Sequence, residues 1–285
     1  MKSLVWFITG ASRGFGLEMT RAALQRGDAV VAAARRPREV ESELGRHERL
    51  LAVELDVTHE KQAQSAVDAA LARFGQIDIL VNNAGRGLLG AVEEASPEEI
   101  RSVFAVNVEG LLSVTRAVLP SMRERRSGRI LNISSIGGFD ARPGWGIYGA
   151  TKFAVEGLSE ALRGELLPLG IYVTIIEPGA FRTDFLDASS LGRAQRRIED
   201  YNGVVGAIRQ WADTTNHEQP GDPAKGAAAM VEIATLADPP LRLQLGTDSI
   251  ARVEAKLAGV RNELAKWRKL AESTDGEPAP RAKTG

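Results

Sequence analysis

Two side chains in the middle of the chain, Tyr148 and Lys152, have the types and spacing needed for proton transfer. Residues four apart lie on one face of an α-helix, so the phenol and the ammonium group would be neighbours. A free tyrosine has a pKa of about 10 and is a poor base at neutral pH. A nearby ammonium group stabilises the phenolate and lowers that pKa, which predicts acid/base chemistry at Tyr148. Because Tyr–Lys pairs are also common on helix surfaces, the pair needs support from the rest of the chain.

A glycine-rich segment near the N-terminus predicts a dinucleotide site. The apolar run 4–8 leads into residues 9–16, with the sequence TGASRGFG, and a helical pattern follows. Here Gly10 permits a tight turn, Gly14 lets the backbone approach a pyrophosphate, and Gly16 allows the helix to pack closely on a sheet. The N–H groups at the start of the helix would then receive the phosphates. The Gly-Lys-Ser/Thr ending of a nucleotide-hydrolase loop is absent.

The end of the second apolar run indicates which dinucleotide binds. Chains that bind NAD usually carry Asp or Glu there, to hold the ribose 2′-hydroxyl group. This chain has Ala34 followed by Arg35. A carboxylate would repel a 2′-phosphate, whereas a guanidinium group can hold it with two hydrogen bonds. Arg13, inside the glycine-rich segment, would add a second positive charge. We therefore expect NADP rather than NAD; the alternative is that both arginines are surface charges.

Short apolar runs alternate with longer segments of helical period. The runs are almost continuously apolar, as in strands that are buried on both faces. This alternation predicts an α/β fold: a Rossmann-type doubly wound parallel sheet of about seven strands, with helices on both faces, in a single domain. The expected strands are 4–8, 29–34, 50–55, 77–81, 129–133, 171–176 and 241–245. The expected helices are 14–27, 59–74, 96–125, 148–168, 222–235 and 250–271, with Thr58 and Ser96 as N-caps.

We expect the single domain to cover residues 1–272. Within it, 184–220 would form a lid over the substrate and 246–272 a C-terminal helical extension. Residues 273–285 are rich in proline, glycine and charge, which predicts a disordered tail.

Composition narrows the classes of partner. Lys and Arg number 36 against 37 Asp and Glu, a net charge of −1, so nothing favours nucleic acid. The absence of cysteine excludes disulfides and thiolate metal sites. His47, His59 and His217 are far apart in sequence, so no metal site is expected. No run reaches the roughly 18 apolar residues of a membrane span, and the run 4–8 is unlike a signal peptide. We expect a cytoplasmic protein with no membrane partner.

Together these residues resemble the classical short-chain dehydrogenase/reductase (SDR) family over about residues 4–185. The resemblance rests on an ordered set of motifs: Thr9-Gly10-x-x-x-Gly14-x-Gly16, Asp56-Val57, Asn82-Asn83-Ala84-Gly85, Asn107, Ser135, Tyr148-x-x-x-Lys152 and Pro178-Gly179. The C-terminal extension is similar to that of hydroxysteroid-dehydrogenase-like members. The resemblance implies an oxidoreductase that moves a hydride between NADP(H) and a carbonyl or secondary alcohol.

The resemblance also implies roles for particular residues. Tyr148 would be the acid/base, Lys152 would also bind the nicotinamide ribose, and Ser135 would hydrogen-bond the substrate oxygen. Asn107 would hold a water that links the lysine to solvent, a role that suits a poor helix former in the middle of a predicted helix. The implied cofactor contacts are Gly10, Ser12, Arg13, Gly14, Phe15, Gly16, Arg35, Asp56, Val57, Asn83, Ala84, Gly85, Tyr148, Lys152, Pro178, Gly179 and Thr183. Of these, Asp56 would hold the adenine amino group.

The substrate is expected to be a small, apolar carbonyl compound or alcohol, of steroid or retinoid size. Trp145 and Phe185 are predicted walls of its pocket, beside Ser135, and Phe139, Phe181 and Leu186 are further candidates. In the family, the helices matching 96–125 and 148–168 commonly form a dimer interface, which implies a homodimer or homotetramer. Two other functions stay open: a non-catalytic NADP-binding regulator, and a sugar-nucleotide epimerase or dehydratase, which would share Tyr-x-x-x-Lys.

Overall fold

The computed structural model describes residues 3–276. Its main sheet consists of β1 Val5–Thr9, β2 Ala29–Ala34, β3 Leu50–Glu54, β4 Ile79–Asn82, β6 Gly128–Ile133, β7 Ile171–Pro178 and β9 Arg242–Leu245. The strand order is β3-β2-β1-β4-β6-β7-β9, and every neighbouring pair is parallel. The predicted Rossmann-type sheet of seven strands in a single domain is therefore confirmed. Two shorter strands, β5 Gly87–Leu89 and β8 Leu191–Arg193, form a separate parallel pair.

Helices cover both faces of the sheet. They are α1 Gly14–Gln25, α2 Pro37–Leu44, α3 Glu60–Phe74, α4 Pro97–Phe104, α5 Gly110–Arg125, α6 Gly146–Leu166, α7 Ala207–Thr214, α8 Pro223–Ala234 and α9 Thr247–Glu272. On one face, Met19 of α1 and Met230 of α8 are fully buried against the strands. On the other face, Val67 of α3 and Val118 of α5 fill the second half of the core. The carboxyl ends of the parallel strands are left open for a ligand.

Several element ends differ from the predicted ones, each for a local reason. The N-cap of α3 is His59 and not Thr58, because the Thr58 hydroxyl donates to Asp56 Oδ1 at 2.7 Å. Ser96 is confirmed as the cap of α4: its Oγ accepts from Glu99 N at 3.2 Å, and Glu99 Oε2 accepts from Ser96 N at 2.7 Å. Helix α6 begins at Gly146, two residues before the predicted start, so Tyr148 lies in its first turn. Helix α2 was not predicted.

The segment 184–220 is more regular than its polar sequence indicates. It contains β8, which pairs with β5 from the body of the fold, and α7. A buried ion pair joins Arg209 of α7 to Glu94, and their side chains are 7% and 0% exposed. Glu94 also accepts hydrogen bonds from Ala91 N at 2.7 Å and Ile198 N at 3.0 Å. These contacts fix the segment to the body; its role as a lid stays a prediction.

The helical extension runs to Glu272, with 273–276 following as turn and coil. The rest of the predicted disordered tail, 277–285, lies outside the described residues. One helix within the described part, the continuous stretch Pro97–Arg125, is long and apolar enough to cross a membrane by length and composition. Its inner side packs in the core, where Val103 and Val114 are buried. The expected absence of a membrane partner stays a prediction.

Candidate active site

A cavity of about 1140 Å³ lies across the carboxyl ends of the main strands. Apart from Gly16, Asn107 and the further candidate Phe139, every predicted site residue lines it. Gly16 lies beneath the floor, where a Cβ atom would come within 2.3 Å of the Gly10 carbonyl oxygen. Asn107 is buried behind Gly85, whose own Cβ would meet Asn107 Oδ1 at 3.4 Å and Lys152 Nζ at 3.7 Å. The structure therefore brings the motifs of the first two thirds of the chain into one cavity and its floor.

The three side chains with acid/base chemistry meet at one end of this cavity. The Ser135 hydroxyl lies close enough to Tyr148 to lower its pKa, and Lys152 Nζ lies 5.7 Å from the centre of the Tyr148 ring. The Ser135 Oγ accepts from Gly137 N at 3.0 Å, which leaves the hydroxyl proton free to donate. Lys152 Nζ donates to the Ile133 carbonyl oxygen at 2.8 Å. A carbonyl oxygen placed between Tyr148 and Ser135 could accept from both hydroxyls.

The pKa of Tyr148 is raised in this structure, whereas the sequence predicts that it is lowered. Burial raises the pKa of Tyr148 to about 12 and outweighs the hydrogen bond with Ser135, which lowers it. Burial also lowers the pKa of Lys152 to about 8, while the nearby Glu156 carboxylate raises it. In this structure the ammonium group is directed to a backbone carbonyl, and desolvation of the phenolate dominates. Tyr148 is therefore held in its protonated, acid form.

Asn107 lies where the long helix departs from α-helical geometry. Residues Ala105–Glu109 form a π-helical segment between α4 and α5. Asn107 Nδ2 donates to the Arg86 carbonyl oxygen at 2.8 Å and to Thr151 Oγ1 at 2.9 Å, and its Oδ1 accepts from Arg86 N at 2.8 Å. The asparagine thus ties the chain after β4 to α6. One lone pair of Oδ1 stays free to accept from a water.

A buried acidic cluster behind Lys152 was not predicted. Glu156, one turn after Lys152 on α6, lies with its Oε2 3.2 Å from Arg242 Nε, and Glu177 Oε1 is also 3.2 Å from that atom. Gln244 Nε2 donates to Glu177 Oε2 at 3.0 Å. Burial is the main cause that raises the pKa of Glu156 to about 7, and burial raises that of Glu177 too. The spacing from Lys152 to Glu156 was visible in the sequence, but the contribution of β9 was not.

The glycine-rich segment has the geometry that a dinucleotide requires. Gly10 and Gly14 have φ values of 64° and 52°, which only glycine adopts without strain. The Asn83 side chain braces this turn: its Nδ2 donates to Thr9 O at 2.9 Å and Gly10 O at 3.1 Å. Asn83 thus shapes the loop with its amide and lines the cavity next to Ala84. The turn offers backbone N–H groups at the start of α1, and its glycines let a ligand approach them. This arrangement fits a pyrophosphate.

The two arginines expected at a 2′-phosphate lie in different surroundings. Arg35 is exposed at the cavity edge and close enough to Asp56 to lower the pKa of that carboxyl. Arg13 instead donates to Ser189 Oγ at 2.6 Å and Ser190 Oγ at 2.8 Å, in segment 184–220. Arg13 therefore contacts two serine hydroxyls in this structure, and its role beside Arg35 at a 2′-phosphate stays a prediction.

Asp56 lines the cavity near Arg35, and its contact with the adenine stays a prediction. Burial raises its pKa, but the hydrogen bonds from the Thr58 hydroxyl and Thr58 N outweigh this and leave the pKa below its usual value. The carboxylate is thus ionised and able to accept from an amino group. Pro178, Gly179 and Thr183 line the opposite side. Phe15 also lines the cavity, but its ring packs against Phe181 at 5.0 Å.

Three aromatic rings form the wall beside the acid/base group. Trp145 and Tyr148 meet edge to face at 5.9 Å, and Phe185 lies 5.2 Å from Tyr148 and 6.2 Å from Trp145. Phe181 and Leu186 also line the cavity, whereas Phe139 does not. Several further lining residues were not singled out from the sequence: Arg86, Asp140, Arg142, Ile208, Trp211, Asp248 and Arg252. Most belong to loops or helices distant in sequence from the motifs.

His217 is the one histidine of the described residues with two carboxylates close by. Its ligand atom and those of Asp184 and Asp187 lie within 4.8 Å of one another. Asp187 Oδ1 is already 3.1 Å from His217 Nε2 and accepts from Asn216 Nδ2 at 2.6 Å. These contacts account for the cluster as a hydrogen-bonded group near the surface; the expectation of no metal stays a prediction.

The chain is similar to known proteins both in sequence and in structure. The family model for short chain dehydrogenase matches residues 4–193. The 3-ketodihydrosphingosine reductase of Bacteroides thetaiotaomicron is 38% identical over 247 residues, which cover 86% of this chain and 89% of the relative.

Two crystal structures share the fold. A short-chain dehydrogenase from Streptomyces avermitilis superposes with a TM-score of 0.90 at 42% identity, covering 96% of this chain and all of that one. A 3-ketoacyl-(acyl-carrier-protein) reductase from Brucella melitensis, complexed with NADH, gives 0.72 at 30% identity, with 86% and 97% covered. None of these three is a hydroxysteroid dehydrogenase by name, so that closer resemblance stays a prediction.

Proposed function

This chain belongs to the short-chain dehydrogenase family of oxidoreductases, and we propose that it interconverts a carbonyl group and a secondary alcohol with NADP(H) as cofactor. The observation that carries the proposal is the meeting of Ser135, Tyr148 and Lys152 at one end of the cavity, with the glycine-rich turn at the other. Family members bind a nicotinamide cofactor, which supplies or accepts the hydride. NADP and the particular substrate are our proposals.

In the reductive direction, Tyr148 donates its proton to the carbonyl oxygen. Ser135 donates a hydrogen bond to the same oxygen and holds it in place as negative charge develops. A tyrosine with a pKa of about 12 carries its proton throughout the neutral range, so this acid needs no activation. In the oxidative direction the phenolate must form, and charged Lys152 stabilises it. With its proton in place, Tyr148 is thus ready to act as the acid in carbonyl reduction.

Proton return to Tyr148 passes through Lys152 and the floor of the cavity. The ammonium group has a pKa of about 8, close enough to neutral pH for it to give up and regain a proton. Asn107 Oδ1 and Lys152 Nζ both border Gly85, where no side chain fills the space. A water held there by the free lone pair of Asn107 would connect the lysine to solvent, as the family resemblance implies.

The preference for NADP rests on the end of β2. Ala34 leaves room at the ribose, and Arg35 is the exposed cation at that edge of the cavity. Arg36 is less suited, because its Nε pairs with Glu39 Oε1 at 2.8 Å. A guanidinium group that lines the cavity without a carboxylate partner of its own suits a 2′-phosphate.

The substrate is proposed to be an apolar carbonyl compound. Trp145, Phe185 and Leu186 line the space next to Tyr148, together with Ile208 and Trp211 of α7. Two of the similar proteins are named as reductases of 3-keto groups, one on a sphingoid base and one on an acyl chain. A ketone carried by a hydrocarbon chain therefore comes first in a screen, and a cytoplasmic location stays a prediction.

Loss of NADPH absorbance with a panel of ketones and aldehydes tests the function. We expect turnover with at least one apolar ketone and none in the Tyr148→Phe variant. Tight NADPH binding without reduction of any carbonyl or oxidation of any alcohol would favour the non-catalytic regulator. Conversion of a sugar nucleotide without net consumption of NADPH would favour the epimerase.

A further inference from the structure

The C-terminal helix leaves the body of the protein after its first two turns. At its start, Asp248 Oδ2 accepts from Ala180 N at 2.8 Å, and the buried Ser249 donates to the Glu177 carbonyl oxygen at 2.8 Å. Arg252 Nε donates to Asp140 Oδ2 at 2.8 Å. From Glu254 to Glu272 every residue is exposed. About 28 Å of helix therefore projects from the body without covering α5 or α6.

This projecting helix carries a continuous apolar stripe. Apart from Leu270, its large apolar residues recur at alternating intervals of three and four: Ile250, Val253, Leu257, Val260, Leu264 and Trp267, with Ala271 completing the pattern. Leu264 and Trp267 are 56% and 55% exposed. Spacing of this kind is the heptad pattern of a two-stranded coiled coil, in which such residues pack between two helices. An isolated helix would gain nothing from this stripe in water.

We propose that the stripe binds the same helix of a second copy of this chain, in antiparallel orientation. In that register Ile250 packs against the partner subunit's Trp267, Val253 against the partner subunit's Leu264, and Leu257 against the partner subunit's Val260. All apolar positions from 250 to 267 are then paired. The two bodies lie at opposite ends of the helix pair.

The charges beside the stripe select this orientation. In the antiparallel pair, Glu254 meets the partner subunit's Arg261 and Lys256 meets the partner subunit's Glu263, and symmetry repeats both contacts. In a parallel pair, Lys256 would instead face the partner subunit's Arg261, a contact between like charges, and only Glu263 with the partner subunit's Arg268 would attract. Exposed ion pairs contribute little affinity, so they choose the orientation while the apolar stripe supplies the binding.

The occupant is a second copy rather than a lipid surface because charges of both signs flank the stripe on each side. Glu254 and Glu263 alternate there with Arg261 and Lys256, whereas a helix that binds anionic lipid would carry mainly Lys or Arg. Glu254 and Glu263 form ion pairs when the other helix is the partner subunit's, with the partner subunit's Arg261 and the partner subunit's Lys256 opposite them. The helix is thus complementary to itself.

One double variant and one control variant test the interface by analytical ultracentrifugation. The double variant Leu257→Glu/Leu264→Glu should have half the mass of the native protein, while Ala255→Glu, on the outward side of the helix, should keep the native mass. Both should retain native activity, since neither change lies near the cavity. An unchanged mass in the double variant, or a native protein that is monomeric at micromolar concentration, would overturn the proposal.

Charge reversal and crosslinking decide the orientation. Arg261→Glu should weaken an antiparallel pair and strengthen a parallel one, and Glu254→Arg/Arg261→Glu should restore the antiparallel pair. The chain contains no cysteine, so Val253→Cys and Leu264→Cys each introduce a single thiol. Mixed under mild oxidation, the two variants should form a disulfide with each other and neither with itself. A Leu264→Cys homodimer disulfide would overturn the antiparallel arrangement, and cosedimentation with phosphatidylserine vesicles in place of dimerisation would overturn the choice of partner.

Discussion

Lys152 Nζ donates a 2.8 Å hydrogen bond to the carbonyl oxygen of Ile133. This contact joins the first turns of α6, which carry Tyr148, to the end of β6, two residues before Ser135. A single side chain thus positions both hydroxyls of the site. It also holds the ammonium group 5.7 Å from the centre of the Tyr148 ring.

Replacing Tyr148 by phenylalanine removes the proposed proton donor and keeps the ring. We expect carbonyl reduction to fall below about 1% of the native rate, since general acid catalysis contributes about 10²–10⁴-fold. Cofactor affinity, measured by fluorescence titration with NADPH, should stay nearly unchanged. Tyr172→Phe is the matched control, because Tyr172 packs against Arg129 and Arg163 away from the cavity. Substantial activity in Tyr148→Phe would assign the acid elsewhere.

Replacing Arg35 by aspartate reverses the charge at the end of β2. We expect kcat/KM with NADPH to fall and kcat/KM with NADH to hold or rise, because a carboxylate repels a 2′-phosphate and accepts from a 2′-hydroxyl. Arg38→Asp, on the exposed surface of α2 and outside the cavity lining, is the control. If the ratio of the two specificity constants is the same in both variants, Arg35 does not read the 2′-position.

Glu156 should set the alkaline limit of the reaction through Lys152. If the lysine must be charged, kcat/KM for reduction falls as the pH rises through the pKa of Lys152, about 8. The Glu156 carboxylate raises that pKa, so Glu156→Gln should move the limit to lower pH by about one unit. Glu160→Gln also removes a carboxylate partner of Arg242, but from an exposed site, and should not shift the limit. Identical pH profiles would mean that Glu156 acts only through packing.

The ion pair between Arg209 and Glu94 should be a major link between α7 and the body. Arg209→Met leaves the Glu94 carboxylate buried without its cation, and we expect a loss of about 3–5 kcal/mol in the free energy of unfolding. Adding Glu94→Gln should recover part of this loss. Arg193→Met breaks an exposed pair with Asp213 on the same segment and should cost at most about 1 kcal/mol. Equal losses from the two arginine variants, in urea unfolding, would contradict a special role for the buried pair.

The sequence was most informative where one pattern repeats along the chain. The apolar run Ala29–Ala34 predicted both ends of β2 correctly, because a strand buried on both faces is apolar throughout. Helix α2 escaped prediction because it has eight residues and only Val40 is buried. The pairing of β5 with β8 joins residues more than 100 positions apart, which no local pattern reveals.

Within the site, the residue types could be predicted from the sequence, but the contacts and burial of their side chains could not. The position of Arg13 in the glycine-rich segment indicated a phosphate contact, yet the folded chain offers Ser189 and Ser190 as partners. The pKa of Tyr148 depends on burial, which requires the whole cavity to be known. Asn107 was the exception: a poor helix former in the middle of a helix correctly indicated an unusual position.

The position of Asn107 depends on the number of residues in the π-helical segment Ala105–Glu109. Removing one residue from it would let α4 and α5 join as an ordinary α-helix and turn one relative to the other by about 100°. The helix itself would gain regular hydrogen bonds, but Asn107 would lose its contacts with Arg86 and Thr151. A deletion here would therefore be tolerated by the helix and not by the chemistry, and descendants of this gene should keep the spacing even where the neighbouring side chains drift.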